Sequence, residues 1–342
     1  MPSVSIVRSD EENAREAVQR AIDLIGGGRF IEGRTEISIK PNLSRPISSS
    51  SGVTTDREIV AGLIEKINSL TKCKINIVET NTAKASADET FRRLGYFALS
   101  EEYSNVRCVN LSNDRKVHVQ LDGDLFSTLL VPESMMFCDL FISVAKLKTH
   151  AEYLYTGVLK NQYGLLVSRA RRQQYHGLMS KAIADLNRFY RPDLSIIDAI
   201  VGMEGFGPAD GKSKHVGAVI ASADPVAADA VGARIMGIRP EKIGYLKYAA
   251  KRGLGTWKSV EVIGSDITSI AEGFDMIPMR YYYFSKIPLA LGRFSLGIRN
   301  LAELLRLARS ASVTIGLTAI QRRMSVYGLL RLGKDTVFRV QE

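Results

Sequence analysis

Asp139-Leu140-Phe141-Ile142-Ser143-Val144-Ala145-Lys146-Leu147-Lys148-Thr149-His150 is the stretch on which the class of fold turns. Its first half is the apolar run expected of a strand buried on both faces. Its second half sets two lysines, a threonine and a histidine at the end of that run. Buried strands of this kind belong to parallel sheets, and the flanking sequence alternates strand and helix patterns as such a sheet requires. Upstream, strands are predicted at 4–7, 36–40 and 74–79. Helices are predicted at about 10–25, stopped by Gly26-Gly27-Gly28, at about 56–70 and at 86–94. Thr54 or Thr55 would cap the helix at 56–70, with Glu58 as the capping-box partner of Thr55. The segments 106–111 and 116–121 could pair as strands. Downstream come helices near 155–166 and 175–190, strands at 194–200 and 216–222, and a helix at 225–236 entered through Asp224-Pro225. The expectation is an α/β fold: a mostly parallel sheet flanked by helices, in two intertwined lobes, over residues 1–274.

Composition narrows the class further. Of 342 residues, 45% are hydrophobic and 24% charged, which suits a globular core. No run approaches the roughly 18 apolar residues that would mark a membrane span. The N-terminus, Met1-Pro2-Ser3-Val4-Ser5-Ile6-Val7-Arg8, lacks a signal-peptide pattern, so a cytoplasmic location is expected. Cys73, Cys108 and Cys138 are scattered and odd in number, which argues against disulfides, an iron–sulfur cluster or a cysteine-rich zinc site.

The net charge of +10 is uneven. Residues 276–342 hold eleven Lys/Arg against three Asp/Glu, and residues 1–275 hold 35 against 33. The basicity thus belongs to the C-terminal extension, 275–342, and no specific nucleic-acid partner is expected for the core. Leucines and arginines alternate over 287–310 in the manner of a basic amphipathic helix or helix pair. It could dock on the core, on another copy in a homo-oligomer, or on a membrane surface bearing anionic lipid.

Polar chemistry gathers where predicted strands end, which is where ligands bind in open α/β sheets. Lys40-Pro41-Asn42 closes one strand and Glu79-Thr80-Asn81 another. Lys146, Lys148 and His150 follow the apolar run, and Lys146 and Lys148 point the same way because side chains in a strand repeat every second residue. Gly157, Lys160, Asn161, Gly164 and His176 come next. The lysines could hold a carboxylate or phosphate, and a histidine titrates near neutrality; a solvated basic loop is the alternative. Only four histidines occur in the chain, His118, His150, His176 and His215. His150 and His176 with Asp198 are candidate ligands for a divalent metal, although their spacing matches no compact motif. Glu204-Gly205-Phe206-Gly207-Pro208-Ala209-Asp210-Gly211-Lys212-Ser213 is not a P-loop. Phe206 stands where a glycine is required, and a strand rather than a helix follows. Gly205, Gly207 and Gly211 could instead let backbone approach a ligand.

Taken in order, Lys40-Pro41-Asn42, Thr54-Thr55, Lys146-Leu147-Lys148-Thr149-His150, Thr156-Gly157, Lys160-Asn161, Gly164, Tyr175-His176, Asp198-Ala199-Ile200, Met203-Glu204-Gly205, Gly207-Pro208 and Asp224-Pro225-Val226-Ala227 resemble the domain-of-unknown-function 362 family over about 37–237. Some members of that family carry an iron–sulfur module whose cysteines this chain lacks, so the resemblance implies no cluster here. A more distant likeness, by analogy of architecture, is to the nickel-dependent lactate racemase, in which lysine and paired histidines line the site.

The residues together point to an enzyme that binds a small anionic substrate between lobes. Lys40, Lys146 and Lys148 would stabilise negative charge. His150 or His176 would act as acid/base or metal ligand, with Glu204 as second base. Asn42, Lys160 and Asn161 would orient the substrate. A non-catalytic assembly protein anchored through its basic tail is the competing expectation.

Overall fold

The computed structural model describes residues 1–9, 13–271 and 273–277. Among them run eleven strands: β1 (Ser3–Arg8), β2 (Glu36–Pro41), β3 (Lys74–Glu79), β4 (Val106–Asn110), β5 (Lys116–Gln120), β6 (Thr128–Pro132), β7 (Leu140–His150), β8 (Leu154–Thr156), β9 (Leu194–Glu204), β10 (Lys212–Ser222) and β11 (Glu261–Gly264). Nine form one sheet in the order β11-β1-β10-β9-β7-β2-β3-β4, with β8 added to β7. The pairs β9–β7, β7–β2, β2–β3, β3–β4 and β1–β11 are parallel; β1–β10, β10–β9 and β7–β8 are antiparallel. The sheet is therefore mostly parallel, as the alternation of patterns predicts, with one antiparallel hairpin, β9–β10, inserted beside its centre.

The pleat of β7 sorts the core. Leu140, Ile142 and Val144 join one apolar cluster, and Phe141, Ala145 and Leu147 join another. Successive side chains of a strand face opposite ways, so the two clusters lie on the two faces of one sheet. The first face is covered by the helices Ala14–Leu24 and Arg57–Leu70, the second by Met179–Phe189, Pro225–Ile235 and Gly244–Lys251. The helix Arg57–Leu70 buries Ile59, Val60, Leu63, Ile64 and Ile67, each contributing about 1.5–3 kcal/mol by leaving water. It lies close against Ala14–Leu24 because Gly62 carries no side chain: a Cβ there would stand 2.5 Å from Arg15 Cα.

Several expectations change. The polar half of the opening stretch is no loop, since β7 runs unbroken to His150 and all eleven of its residues are buried. Lys116–Gln120 pairs with β6 and not with β4, while β4 extends the main sheet beside β3. Asp56, not Thr55, caps the helix Arg57–Leu70, its carboxylate accepting from Glu58 N at 2.9 Å. Thr55 Oγ1 instead donates to Val144 O and accepts from Asn42 N, each at 2.9 Å. Glu58 turns outward to Arg15 and Arg57. The segment 155–166 is not one continuous α-helix: the end of β8 precedes a single α-turn, Val158–Asn161, and a 3-10 turn, Gln162–Leu165. By internal contacts the chain divides into Met1–Met276 and Ile277–Glu342. The amphipathic helix expected over 287–310 lies outside the described residues.

Candidate functional site

The parallel strands β2 and β3 end while β7 and β9 run on past them, Pro41 pairing with Val144, and residues at this step build a buried polar network. Lys40 Nζ lies 2.9 Å from Glu79 Oε2, 3.2 Å from Pro41 O and 3.3 Å from Asn161 Oδ1. Asn161 Nδ2 donates to Lys40 O and Ser143 Oγ, which fixes the amide so that its Oδ1 also accepts from Asn42 Nδ2 at 3.1 Å. Asn42 Oδ1 then accepts from Lys148 Nζ at 2.8 Å. A continuous chain of hydrogen bonds thus runs Glu79–Lys40–Asn161–Asn42–Lys148. Buried polar groups are tolerated when satisfied in this way.

The lysines fall into two kinds. Lys146 stands opposite Asp198 in the β7–β9 register, and its Nζ lies 2.8 Å from Asp198 Oδ2. Asp198 also accepts from Asp56 N at 2.7 Å and Ile200 N at 3.2 Å. Lys40 and Lys146 therefore each have a buried carboxylate. Lys148, one pleat further, has none: its Nζ donates to Asn42 Oδ1, to Val53 O at 2.7 Å and, at 3.5 Å, towards Ser44 Oγ. Burial holds its amine well below the usual lysine range, and Lys160, Lys146, Arg45 and Lys40 push it further down. The side chain of half-buried Lys160 makes no hydrogen bond or ion pair among the described residues. Its removal from water lowers the amine to about 8.

A carboxylate on a distant helix positions the turn that carries Lys160 and Asn161. Asp229, fully buried in Pro225–Ile235, accepts from Val158 N at 2.6 Å and Leu159 N at 3.0 Å. Its burial raises the carboxyl to about 7 even though both amides favour the charged form. Gly157 is required by this approach, because a Cβ there would sit 2.1 Å from Asp229 Oδ1. Gly164 is similarly confined, its Cβ position lying 3.2 Å from Lys40 Nζ.

The histidines form a second group. His150 continues the Lys146–Lys148 face of β7. Its Nδ1 accepts from Glu152 N at 3.1 Å, which places the proton of the neutral ring on Nε2. Buried Glu152 sets Oε2 3.2 Å from His176 Nδ1. The Tyr153 ring stands edge-on between the two imidazoles, at 5.2 Å from His150 and 5.3 Å from His176, and its hydroxyl donates to His176 O. At this separation the two side chains form an ion pair when the imidazole is protonated.

Other candidates are placed elsewhere. Asp198 is occupied by Lys146, and among the described residues no three His, Cys, Asp or Glu side chains gather to hold a metal. His150, His176 and Asp198 are thus not brought together as such a group among the described residues. Glu204 accepts from Asp275 N at 2.9 Å and faces Lys214 at 3.7 Å, in a network of its own. The glycines of the β9–β10 turn serve the chain itself. A Cβ on Gly207 would stand 2.0 Å from Thr149 O, and one on Gly211 would stand 2.1 Å from Glu204 O. Gly205 takes the left-handed conformation that turns the hairpin. Glu79, Glu152 and Asp229, which were not among the candidates, hold the candidates in place. Glu79 had a visible signal as a carboxylate ending an apolar strand. Glu152 and Asp229 had none beyond their charge.

Comparison with known proteins follows this geometry. A thylakoid-associated protein of Synechocystis sp. (strain ATCC 27184 / PCC 6803 / Kazusa) is 27% identical over 266 residues, covering 74% of this chain and 80% of the relative. The structure of the lactate racemase apoprotein from Thermoanaerobacterium thermosaccharolyticum superimposes with a TM-score of 0.47 at 14% identity, over 69% of this chain and 57% of that one. The chain thus spans somewhat over half the length of that protein. Among the described residues no helix is long and apolar enough to cross a membrane. The model of the family described as "Domain of unknown function (DUF362)" matches residues 37–234, more than half of the chain and the whole of the network from Lys40 to Asp229. The chain belongs to that family.

Proposed function

We propose that the protein is an enzyme that binds a small carboxylate or phosphate compound where β2 ends beside the Lys146–His150 part of β7. One observation carries this reading: Lys148 and Lys160 lie in a cluster of cations without a carboxylate of their own. The charges of Lys40 and Lys146 are neutralised by Glu79 and Asp198, so these two lysines build the site rather than hold the ligand. Lys160 supplies the anchoring charge, and the Lys148 amine belongs to the same cluster. An arriving anion replaces the missing carboxylate, in a desolvated setting where such a contact is strong. His150 follows Lys148 on the same face of β7, about 7 Å along the strand. His176, oriented by Glu152, is the acid/base partner.

Calorimetric titration with inorganic phosphate tests this reading. Lys160→Gln is expected to weaken binding at least about tenfold, roughly 1.4 kcal/mol, with the melting temperature nearly unchanged. Equal affinity in the variant, or no binding by the native protein, would overturn the reading.

A further inference from the structure

Lys148 differs from the other buried lysines of the site in the chemistry of its partners. Lys40 and Lys146 each meet a carboxylate at 2.9 and 2.8 Å, as an ammonium requires when it leaves water. Lys148 meets two carbonyl oxygens, Asn42 Oδ1 at 2.8 Å and Val53 O at 2.7 Å. A neutral primary amine has two N–H bonds and one lone pair, and two short donations to neutral acceptors use both N–H bonds. The third tetrahedral direction is weakly held, since Ser44 Oγ at 3.5 Å is beyond ordinary hydrogen-bond range. Asn42 and Val53 are buried, whereas Ser44 and Lys160 are half-buried. The least covered neighbour of the amine is therefore Ser44, and Lys160 is the cation that acts on it most strongly.

From this geometry we infer that Lys148 is a nucleophilic amine that condenses with the carbonyl group of a bound oxo acid whose carboxylate is held by Lys160. The inference rests on the anion-binding reading and adds the substrate class. A desolvated lysine beside other cations gives up its proton more readily, and the lone pair of the free amine is a nucleophile. The charged neighbours contributing here are Lys40, Arg45, Lys146 and Lys160. In the reaction the Nζ lone pair attacks the carbonyl carbon and the C=O π pair moves to oxygen. The two amine protons pass to that oxygen, which departs as water while the C=N bond forms. Protonation of the imine gives an iminium whose N–H retains one of the two carbonyl acceptors. The electron-poor iminium then lowers the barrier to breaking a bond at the adjacent carbon.

Full-length protein incubated with pyruvate and sodium cyanoborohydride, then digested and mapped by mass spectrometry, tests the step. Reduction converts the imine into a stable carboxyethyl-lysine. The expected result is labelling of Lys148 at least tenfold above exposed Lys84 and Lys251, suppressed by inorganic phosphate, with no labelled counterpart in a folded Lys148→Arg variant. If phosphate binds and Lys148 is labelled no more than the exposed lysines, the imine inference fails while the anion site stands. If Lys148 is labelled selectively but phosphate neither binds nor protects, the amine assignment stands and the Lys160 anchor falls.

Discussion

Lys146→Met is expected to destabilise the protein by about 3–5 kcal/mol, the range found when one partner of a buried ion pair is removed. Both side chains of the pair are almost wholly inaccessible, at 1% and 0% exposure, so water cannot replace the lost cation. Asp198 would keep Asp56 N and Ile200 N as donors but would bear an uncompensated charge between β7 and β9. The melting temperature should fall on the order of 10 °C, as differential scanning calorimetry would show. Lys146→Met combined with Asp198→Leu should recover most of the loss, because an apolar pair of similar volume avoids the desolvation penalty. If the single variant melts within a degree or two of the native protein, the pair is not the strut described above.

Two residues along the same face of the same strand, Lys148→Met should behave in the opposite way. No carboxylate is orphaned, and methionine fills a comparable space in an adaptable manner. Asn42 Oδ1 and Val53 O lose a donor, a cost of about 1–3 kcal/mol each when such groups stay buried. Relief from burying an amine among cations offsets much of this. A melting temperature within a few degrees of native is therefore expected, with phosphate binding weakened by about tenfold or more. A collapse in stability equal to that of Lys146→Met would mean that Lys148 is structural, and the functional assignment would fail with it.

The contrast between these two lysines also shows which features were legible in the chain and which were not. Strand and helix signals are local: the run from Leu140 to Ala145, the helix starting near 86 and the Asp224-Pro225 helix entry all appear as read. The sheet ends were legible for the same reason, and polar groups do cluster where β2 and β3 end. The continuation of β7 through Lys146 and Lys148 was hidden, because charged residues are almost never fully buried without a partner. The partner of Lys146, Asp198, lies 52 residues away. The Gly205–Gly211 turn was ambiguous in another way. A glycine declares that something approaches its backbone, not whether that neighbour is a ligand or, as with Gly207, the chain's own Thr149. Glu58 had the spacing of a capping box, but Thr55 is drawn into the sheet by Val144 and Asn42.

The ionisation of Lys160 tests the account most directly. In the native fold its amine should titrate near 8 rather than at the ordinary 10.5, because it is desolvated without a carboxylate. An anion stabilises the ammonium, so binding should move the titration upward, and affinity should be full below about pH 8 and fall as the pH rises through that value. Lysine side-chain NMR, assigned with Lys160→Gln and recorded with and without sulfate, whose charge is constant over this range, measures both quantities. The account predicts a midpoint near 8 that rises when sulfate is added. A midpoint near 10.5 that sulfate leaves in place would contradict it.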